Sequence, residues 1–407
     1  MPESYSVFTG YLFFPTMIGN GLQGKKTSMT KLKIAQLAPI IERVPPKKYG
    51  GTERVVSALT DELVKRGHKV TLFASGDSVT SAKLVSVYPK SLREIKMKDL
   101  YGPNVWTMLN IGLAYYHYEE FDIIHDHVGH PSLPTANMSP TPVAMTLHGP
   151  FTTENKRIFQ TLTNPYLISI SEAQAKSGPP GLNYIGNVYN GLPMEDYPFS
   201  RENEGYLLFV GRISMEKGVH NAIEVAQYLD IPLIIAAKLE AIDLPYFNEY
   251  VGPRLSDTVR WIGEVDDAER NRLMSKALAF LHPITWKEPF GLTMIEAMAC
   301  GCPVIGFNKG SVPEVVENGR SGFVVADIDE MIDAVDHISL LDREECRRYA
   351  LEKFSAAKMA EGYERMYEKI IEEKKHRAAK KDPKKAAGSA QKGAFIPPMS
   401  PVLSLES

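Results

Sequence analysis

The sequence is poor in the features that mark several large classes of protein. Its 407 residues contain only three cysteines, Cys300, Cys302 and Cys346. Three cysteines cannot form the disulfide set of a small secreted domain, so we interpret them as small buried residues of a reducing, cytoplasmic compartment. Apolar residues flank the first two, and the absence of further ligands there argues against a metal site.

Long apolar runs are also missing, since no segment approaches the roughly 20 residues of a membrane-spanning helix. The short apolar patch at residues 11–18 (YLFFPTMI) contains Pro15 and follows Glu3 instead of a basic segment, so we do not interpret it as a signal peptide. A net charge of -3 gives no general reason to expect nucleic acid as a partner. Any anion site must therefore be local.

The chain is long enough for two domains with real cores, because 44% of its residues are hydrophobic. Strand and helix signals alternate along it, which predicts an α/β protein with doubly wound sheets. The strand signals fall at residues 31–38, 68–74, 121–127, 142–148 and 166–170, and then at 206–210, 232–238, 259–263, 277–282 and 304–307. Sheets of this kind place ligands at the carboxyl ends of their strands.

The segment at residues 286–302 (WKEPFGLTMIEAMACGC) predicts a loop followed by a short helix. Good helix formers run from 292 to 299, directly after Gly291. The main-chain N–H groups of Phe290, Gly291 and Leu292 would then lie at a helix N-terminus, which favours an anion. Gly291 lacks the side chain that would keep a phosphate away.

Two carboxylates flank this helix start. Glu296 lies one turn into the helix, and Glu288 stands on the loop eight positions earlier. Either glutamate alone often does no more than complement a helix dipole. Together, around an anion site, they suit a ligand with hydroxyls on both sides of a diphosphate, which is the description of a nucleotide sugar.

The segment with Glu288, Pro289, Phe290, Gly291 and Glu296 resembles the E-x7-E signature of retaining glycosyltransferases. The resemblance is to the GT-B fold enzymes of glycosyltransferase family 4. It implies two Rossmann-like domains with an interdomain cleft, in which the second glutamate binds ribose hydroxyls and the first binds the donor sugar.

A basic motif after the first strand of the second half fits the same resemblance. Arg212, Lys217 and Gly218 belong to a GR-x4-KG pattern. A guanidinium offers paired planar donors, an ammonium is a mobile point charge, and Gly218 starts a helix whose N-terminus favours anions. Isolated surface cations are usually only solvated, but the resemblance implies that these two clamp the donor diphosphate.

Three further positions are candidates in the light of this resemblance. Gly50 and Gly51 follow the first strand, where backbone N–H groups can receive a phosphate, although such a pair is often only a turn. His148 follows the strand at 142–148, where a histidine often has only a structural role. The family likeness implies that the glycines cover the diphosphate, that His148 faces the donor sugar, and that Gly263 lies in the base-binding segment.

Two features limit the inference. His125, Asp126 and His127 contain metal-ligand types, but neighbours on a strand point to opposite faces, so we expect no metal. Residues 237–240 (AKLE) stand where the family often has a glycine-rich turn, which leaves contacts from that turn open, with Lys238 as a candidate substitute.

The resemblance covers residues 31–375 and implies the following organisation. We expect an N-terminal extension at 1–28, an acceptor domain at 29–195, a nucleotide-sugar domain at 196–354, a helix packing back on the first domain at 355–377, and a disordered basic tail at 378–407. Such a tail is compatible with peripheral contact to acidic lipid, although it more often only adds solubility.

The implied activity is a metal-independent, retaining hexosyltransferase that uses a nucleoside diphosphate sugar and no cofactor. No obvious carboxylate nucleophile stands in the first half, which fits a front-face mechanism. The segments at 49–56 (YGGTERVV) and 71–77 (TLFASGD) resemble members that include a UDP-glucose:tetrahydrobiopterin glucosyltransferase, which favours UDP-glucose slightly. The acceptor, a small molecule, glycan or lipid, is not identified. A phosphorylase or epimerase of the same fold, and a non-catalytic sugar-nucleotide binding subunit, remain alternatives.

Overall fold

A computed structural model of the chain describes residues 30–48, 50–95 and 102–381. The predicted extension at 1–28, Tyr49 of the YGGTERVV segment and the predicted tail beyond 381 lie outside these residues.

The first half forms a parallel sheet with helices on its faces. The strand order is β3-β2-β1-β4-β5-β6-β7. Its strands are β1 (Lys33–Leu37), β2 (Lys69–Phe73), β3 (Lys83–Val85), β4 (Ile123–Asp126), β5 (Val143–Thr146), β6 (Tyr166–Ser169) and β7 (Tyr184–Asn187). Its helices are α1 (Gly51–Lys65), α2 (Gly102–Tyr116), α3 (Leu133–Met138), α4 (Thr153–Thr161) and α5 (Glu172–Ser177).

The second half forms another parallel sheet, in the order β10-β9-β8-β11-β12-β13. Its strands are β8 (Leu207–Arg212), β9 (Leu233–Lys238), β10 (Val259–Trp261), β11 (Ala279–His282), β12 (Val304–Phe307) and β13 (Gly322–Val325). Its helices are α6 (Val219–Leu229), α7 (Leu244–Tyr246), α8 (Asp267–Lys276), α9 (Leu292–Ala299), α10 (Val312–Val315), α11 (Ile328–Asp336) and α12 (Arg343–Phe354). The two sheets confirm the predicted α/β architecture.

Burial explains why the central strands were visible in the sequence. Every residue of β4, β5, β6, β11 and β12 is buried, because helices cover both faces of a parallel sheet. The strands that the sequence did not predict, β3, β7 and β13, lie at sheet edges and are only partly buried. Their apolar patterns are correspondingly weak.

Both sheets change direction next to their first strand. The chain runs outward from β1 to β3 and then returns to β4, and it runs from β8 to β10 and returns to β11. Ligands of open α/β sheets bind at the carboxyl ends of the strands beside such a switch point. The loops after β1, β4, β8 and β11 are therefore the places to look for a site.

The last helix, α13 (Ala356–Lys381), returns to the first sheet and contacts α1 and β7. It carries Glu364, whose carboxylate receives Arg66 Nη1 and His68 Nε2 at 2.9 Å each. The helix extends to Lys381, four residues into the segment predicted to be a tail. Among the described residues, no helix is both long and apolar enough to cross a membrane.

One helix start differs from the prediction. The sequence pattern predicts that Thr52 caps a helix beginning at Glu53, but α1 begins at Gly51 and Gly50 is its N-cap. Gly50 has φ +147°, a conformation that side chains rarely permit, and this lets the helix start two residues earlier.

Candidate active site

A cleft of about 460 Å³ is lined by residues that follow strands of both sheets. Most of the predicted donor-site residues line it: Gly50, Gly51, His148, Arg212, Lys217, Glu288, Phe290, Gly291 and Leu292. Glu296 lines an adjoining cavity of about 150 Å³, together with Gly50, Gly51 and Leu292. Gly263 lines neither space, whereas its neighbours Glu264 and Val265 line the smaller one.

Helix α9 has the bounds that its sequence pattern predicts, and Gly291 is its N-cap. Gly291 has φ +81°, a left-handed conformation that side chains rarely permit. Glycine is therefore favoured where the chain turns into the helix. The N-terminus of a helix that is buried over most of its length thus borders the cleft, which favours an anion there.

Lys217 and Glu288 form an ion pair at the cleft. Lys217 Nζ lies 2.5 Å from Glu288 Oε2, and the indole N–H of Trp286 donates to the same oxygen at 3.0 Å. The ammonium also lies 5.2 Å from the centre of the Trp286 ring. Glu288 is only 9% exposed, so these contacts compensate a carboxylate that is largely withdrawn from water.

Arg212 ends β8 and is surrounded by carboxylates. It pairs with Glu216, and its guanidinium lies 3.8 Å from Glu240 and 3.6 Å from Asp243. Burial raises the pKa of Asp243, Arg212 acts in the opposite direction, and the neighbouring glutamates add to the rise. A diphosphate bound by Arg212 would have to replace some of these contacts.

The turn after β9 supplies Glu240, one of the carboxylates around Arg212. In this turn, at residues 237–240, Lys238 pairs with Glu240 at 2.9 Å, and Lys238 lines the cavity of Glu296. The turn therefore contributes charged side chains to the site instead of open backbone N–H groups.

Glu296 is 2% exposed and is held between the two halves of the chain. Arg270 of α8 lies 3.0 Å from its Oε1, and Arg54 of α1 lies 3.9 Å from the same atom. Neither contact has hydrogen-bond geometry, so Oε1 has no hydrogen-bond partner among the residues that the structure describes. A buried acceptor of this kind can receive a ligand hydroxyl.

His148 is half-buried, and its Nε2 lies 2.9 Å from Nδ1 of His127. Burial lowers the pKa of His148 to about 4, so the ring is neutral near pH 7. Asp126 lies on the other face of β4, where it accepts the hydroxyl of Tyr115 at 2.7 Å. This is the alternation expected of a strand, and in the described part of the chain no group of His, Cys, Asp or Glu side chains is arranged to hold a metal ion.

Comparison with known families identifies the family to which the chain belongs. Residues 49–176 match the model described as Glycosyltransferase Family 4, and residues 196–353 match the model described as Glycosyl transferases group 1. Between them the two models cover more than half of the chain.

The chain belongs to glycosyltransferase family 4.

Individual relatives agree with this assignment. The glycosyltransferase is 27% identical to a glycogen synthase of Mycobacterium tuberculosis over 331 residues, which is 68% of this chain and 79% of the relative. Among solved structures it is similar to AviGT4, a glycosyltransferase involved in avilamycin A biosynthesis, with a TM-score of 0.65, 26% identity and coverage of 84% of this chain and 98% of that one. HepE of Anabaena, solved with UDP-glucose, shares the fold at a TM-score of 0.62 and 18% identity, over 84% and 100% of the two chains.

The structure of the glycosyltransferase adds Arg54, which sequence reasoning did not find. Its guanidinium makes two hydrogen bonds to Asp267 of α8, at 2.5 and 2.9 Å, while its Nε faces Glu296. Arg54 thus connects α1 of the first half to the acidic helix region of the second. No local motif marks it, because its partners lie more than two hundred residues away.

Glu53 is a second residue that the sequence did not reveal. It lies in the first turn of α1, is 6% exposed and lines the cleft. Burial raises its pKa to about 7, and Glu42 adds to the rise. Glu53 is therefore a buried carboxyl that the first half contributes to the cleft, where the sequence showed no obvious carboxylate nucleophile.

Proposed function

We propose that this glycosyltransferase transfers a hexose, with retention of configuration, from a nucleoside diphosphate sugar to an acceptor hydroxyl. The observation that carries the proposal is the convergence of Arg212, Lys217 and the N-terminus of α9 on one cleft that also holds Glu288. Cations and a helix N-terminus suit a diphosphate, and the carboxylate suits the hydroxyls of a sugar.

The proposed chemistry follows from charge. As the bond between the anomeric carbon and the diphosphate lengthens, negative charge grows on the leaving group. Arg212, Lys217 and the main-chain N–H groups at the start of α9 would stabilise that charge without a metal ion. Glu296, whose Oε1 accepts no hydrogen bond from the described residues, would bind the ribose hydroxyls. Glu288 would orient the sugar, and His148 would contact it from the other side.

The acceptor would enter through a second cavity of about 470 Å³ that shares Trp286, Glu288 and Pro289 with the donor cleft. Its wall also carries Phe151 and three lysines, Lys156, Lys176 and Lys287. Lys176 pairs with Glu172 at 3.2 Å, whereas neither of the other two pairs with a carboxylate in the part of the chain that the structure describes. This charge favours an acceptor that carries an anionic group.

Retention would follow a front-face course, in which the leaving phosphate helps to remove the acceptor proton. UDP-glucose is the donor we favour, since HepE shows that this fold can hold it.

We also place the enzyme in a reducing compartment, the cytoplasm. Its three cysteines are free and buried, and burial raises the pKa of Cys300 and Cys302 to about 12, so they remain thiols.

A donor screen tests the proposal. Thermal shift and slow hydrolysis are measured across UDP-, GDP- and ADP-sugars, with and without EDTA. We expect one nucleotide class to stabilise the protein and to be hydrolysed equally well in EDTA, and the anomeric proton of the transferred sugar to show retention by NMR. Loss of activity in EDTA, or absence of binding to every nucleotide sugar, would reject the proposal. A strict requirement for inorganic phosphate would indicate a phosphorylase.

A further inference from the structure

A buried hydrogen-bonded chain links the wall of the cleft to the C-terminal helix. His148 Nε2 lies 2.9 Å from His127 Nδ1, and His127 Nε2 lies 2.7 Å from Gln36 Oε1. The amide nitrogen of Gln36 then donates to the hydroxyl of Tyr367 on α13 at 3.4 Å. Gln36, near the carboxyl end of β1, therefore joins the histidine pair to the last helix.

The chain continues from Tyr367 to the end of β5. The Tyr367 hydroxyl lies 2.7 Å from His125 Nδ1, and His125 Nε2 lies 2.8 Å from Thr146 Oγ1. The same Oγ1 lies 3.2 Å from the hydroxyl of Tyr363. Gln36, His125, Thr146 and both tyrosines are 0% exposed. Their partners along the chain, and not bulk water, therefore determine where each hydrogen lies.

The three histidines of this hydrogen-bonded chain are neutral at physiological pH. Burial lowers the pKa of His125 and His127 well below the usual value, as it does for His148. A neutral imidazole has one N–H and one lone pair, so every ring passes on the direction of the hydrogen bond that it receives. The carboxamide of Gln36 has its acceptor oxygen toward His127 and its donor nitrogen toward Tyr367. It therefore sets the donor-to-acceptor direction of the hydrogen bonds on both sides.

The direction toward the cleft follows step by step. Gln36 Oε1 accepts, so His127 carries its hydrogen on Nε2 and its lone pair on Nδ1. That lone pair must accept from Nε2 of His148, which leaves the lone pair of His148 on Nδ1. The opposite order would require the carboxamide to turn over, and Nδ1 of His148 would then be a donor.

We propose that Gln36 and His127 are positioning residues that hold His148 as its Nε2–H tautomer, so that Nδ1 accepts a hydrogen bond from a hydroxyl of the donor sugar. The second half of this statement rests on the proposed function, because it needs a sugar in the cleft. The first half concerns the protein alone, and the two can be tested separately.

A matched pair of variants separates hydrogen bonding from packing. In His127→Asn the amide oxygen can still accept from His148 Nε2, whereas His127→Leu has nearly the same shape and no acceptor. Gln36→Met removes the carboxamide that sets the direction of the hydrogen bonds, and its side chain fills a similar volume. Thermal unfolding of each variant reports whether it folds.

The tautomer is measured by long-range ¹H–¹⁵N correlation NMR on protein labelled at histidine, with His148→Gln to assign the signals. We expect a lone-pair nitrogen at Nδ1 of His148 in the wild type and in His127→Asn, and a mixture in His127→Leu and Gln36→Met. Donor hydrolysis should keep its kcat/KM within about twofold in His127→Asn and fall about five- to tenfold in the other two, as expected for one neutral hydrogen bond.

A protonated Nδ1 in the wild type overturns the proposal, and this readout needs no donor and, among the variants, only His148→Gln for the assignment. Unchanged spectra in Gln36→Met would overturn the role of Gln36. If the spectra agree with the proposal but no nucleotide sugar binds, the tautomer assignment stands and the proposed function fails.

Discussion

Lys217 Nζ lies 2.5 Å from Oε2 of Glu288, so the proposed diphosphate-binding cation and the proposed sugar-binding carboxylate are already in contact. The pair brings together the loop after β8 and the loop before α9, 71 residues apart in the chain. Each side chain keeps the other in the cleft, and each would be partly freed when a ligand takes over its contacts.

We predict that Lys217→Ala and Glu288→Ala each lower turnover at least roughly a hundredfold, as removal of a group that acts on developing charge or orients the sugar does. Steady-state kinetics with the best donor of the screen measures the effect. Lys309→Ala is the control, because Lys309 is exposed and lines a separate surface cavity. Near-normal turnover in either cleft variant would remove that residue from the proposed mechanism.

Arg54 should act on nucleotide binding more than on the chemical step. Arg54→Met removes both hydrogen bonds to Asp267 and the cation that faces Glu296. We expect the Kd for the free nucleotide to rise about tenfold or more, as for a largely buried ion pair that loses one partner. Titration calorimetry measures the Kd, and Asp267→Asn should give a smaller effect because Arg54 then keeps Glu296. Equal nucleotide affinity in Arg54→Met and wild type would contradict this role.

Glu53 should make stability fall between pH 4.5 and about 7. Burial raises its pKa from 4.5 to about 7, so the folded state binds more protons than the unfolded state in this window. The free energy of unfolding therefore decreases as pH rises, by up to about 3 kcal/mol for such a shift. Glu53→Gln should remove this loss when urea unfolding at pH 5 and pH 8 is compared.

The exposed Glu368 provides the control for this titration, and Glu368→Gln should follow the wild type at both pH values. An identical pH dependence in wild type and Glu53→Gln would show that the carboxyl is not buried as described.

The acceptor cavity predicts a preference for anionic acceptors. In a panel of paired compounds that differ by one carboxylate or phosphate group, the charged member should be glycosylated faster, because Lys156 and Lys287 face the cavity. Lys156→Met should reduce this preference several-fold while donor hydrolysis stays within about twofold. Faster transfer to the neutral members in the wild type would reverse the assignment.

The sequence predicted most where the signal was local. The run from 292 to 299 gave the bounds of α9, and the continuous apolar strands gave the centres of both sheets, because burial on both faces leaves a strong pattern. The edge strands β3, β7 and β13 were missed since they are only partly buried and short, whereas the fourth edge strand, β10, was predicted. The early start of α1 was missed because it depends on the unusual φ of Gly50, which no neighbour in the chain announces.

In the site, too, the features with a local sequence signal were predicted and those that depend on the tertiary fold were not. The sequence, through its motifs and their resemblance to the family, was enough to predict that Arg212, Lys217, Glu288 and the start of α9 lie around one cleft. It could not reveal Arg54, nor the carboxylates around Arg212, because those contacts join segments that only the tertiary fold brings together. His127 was considered only as a metal ligand, whereas its partners Gln36 and His148 show a hydrogen-bonding role.

The most direct test of the account is a crystal structure of the enzyme with UDP or the nucleotide that the donor screen selects. We predict diphosphate oxygens within hydrogen-bond distance of Arg212, of Lys217 and of the main-chain N–H groups at the start of α9, with the ribose at Glu296. A nucleotide bound elsewhere, or Arg212 and Lys217 still paired only with their carboxylates, would contradict it.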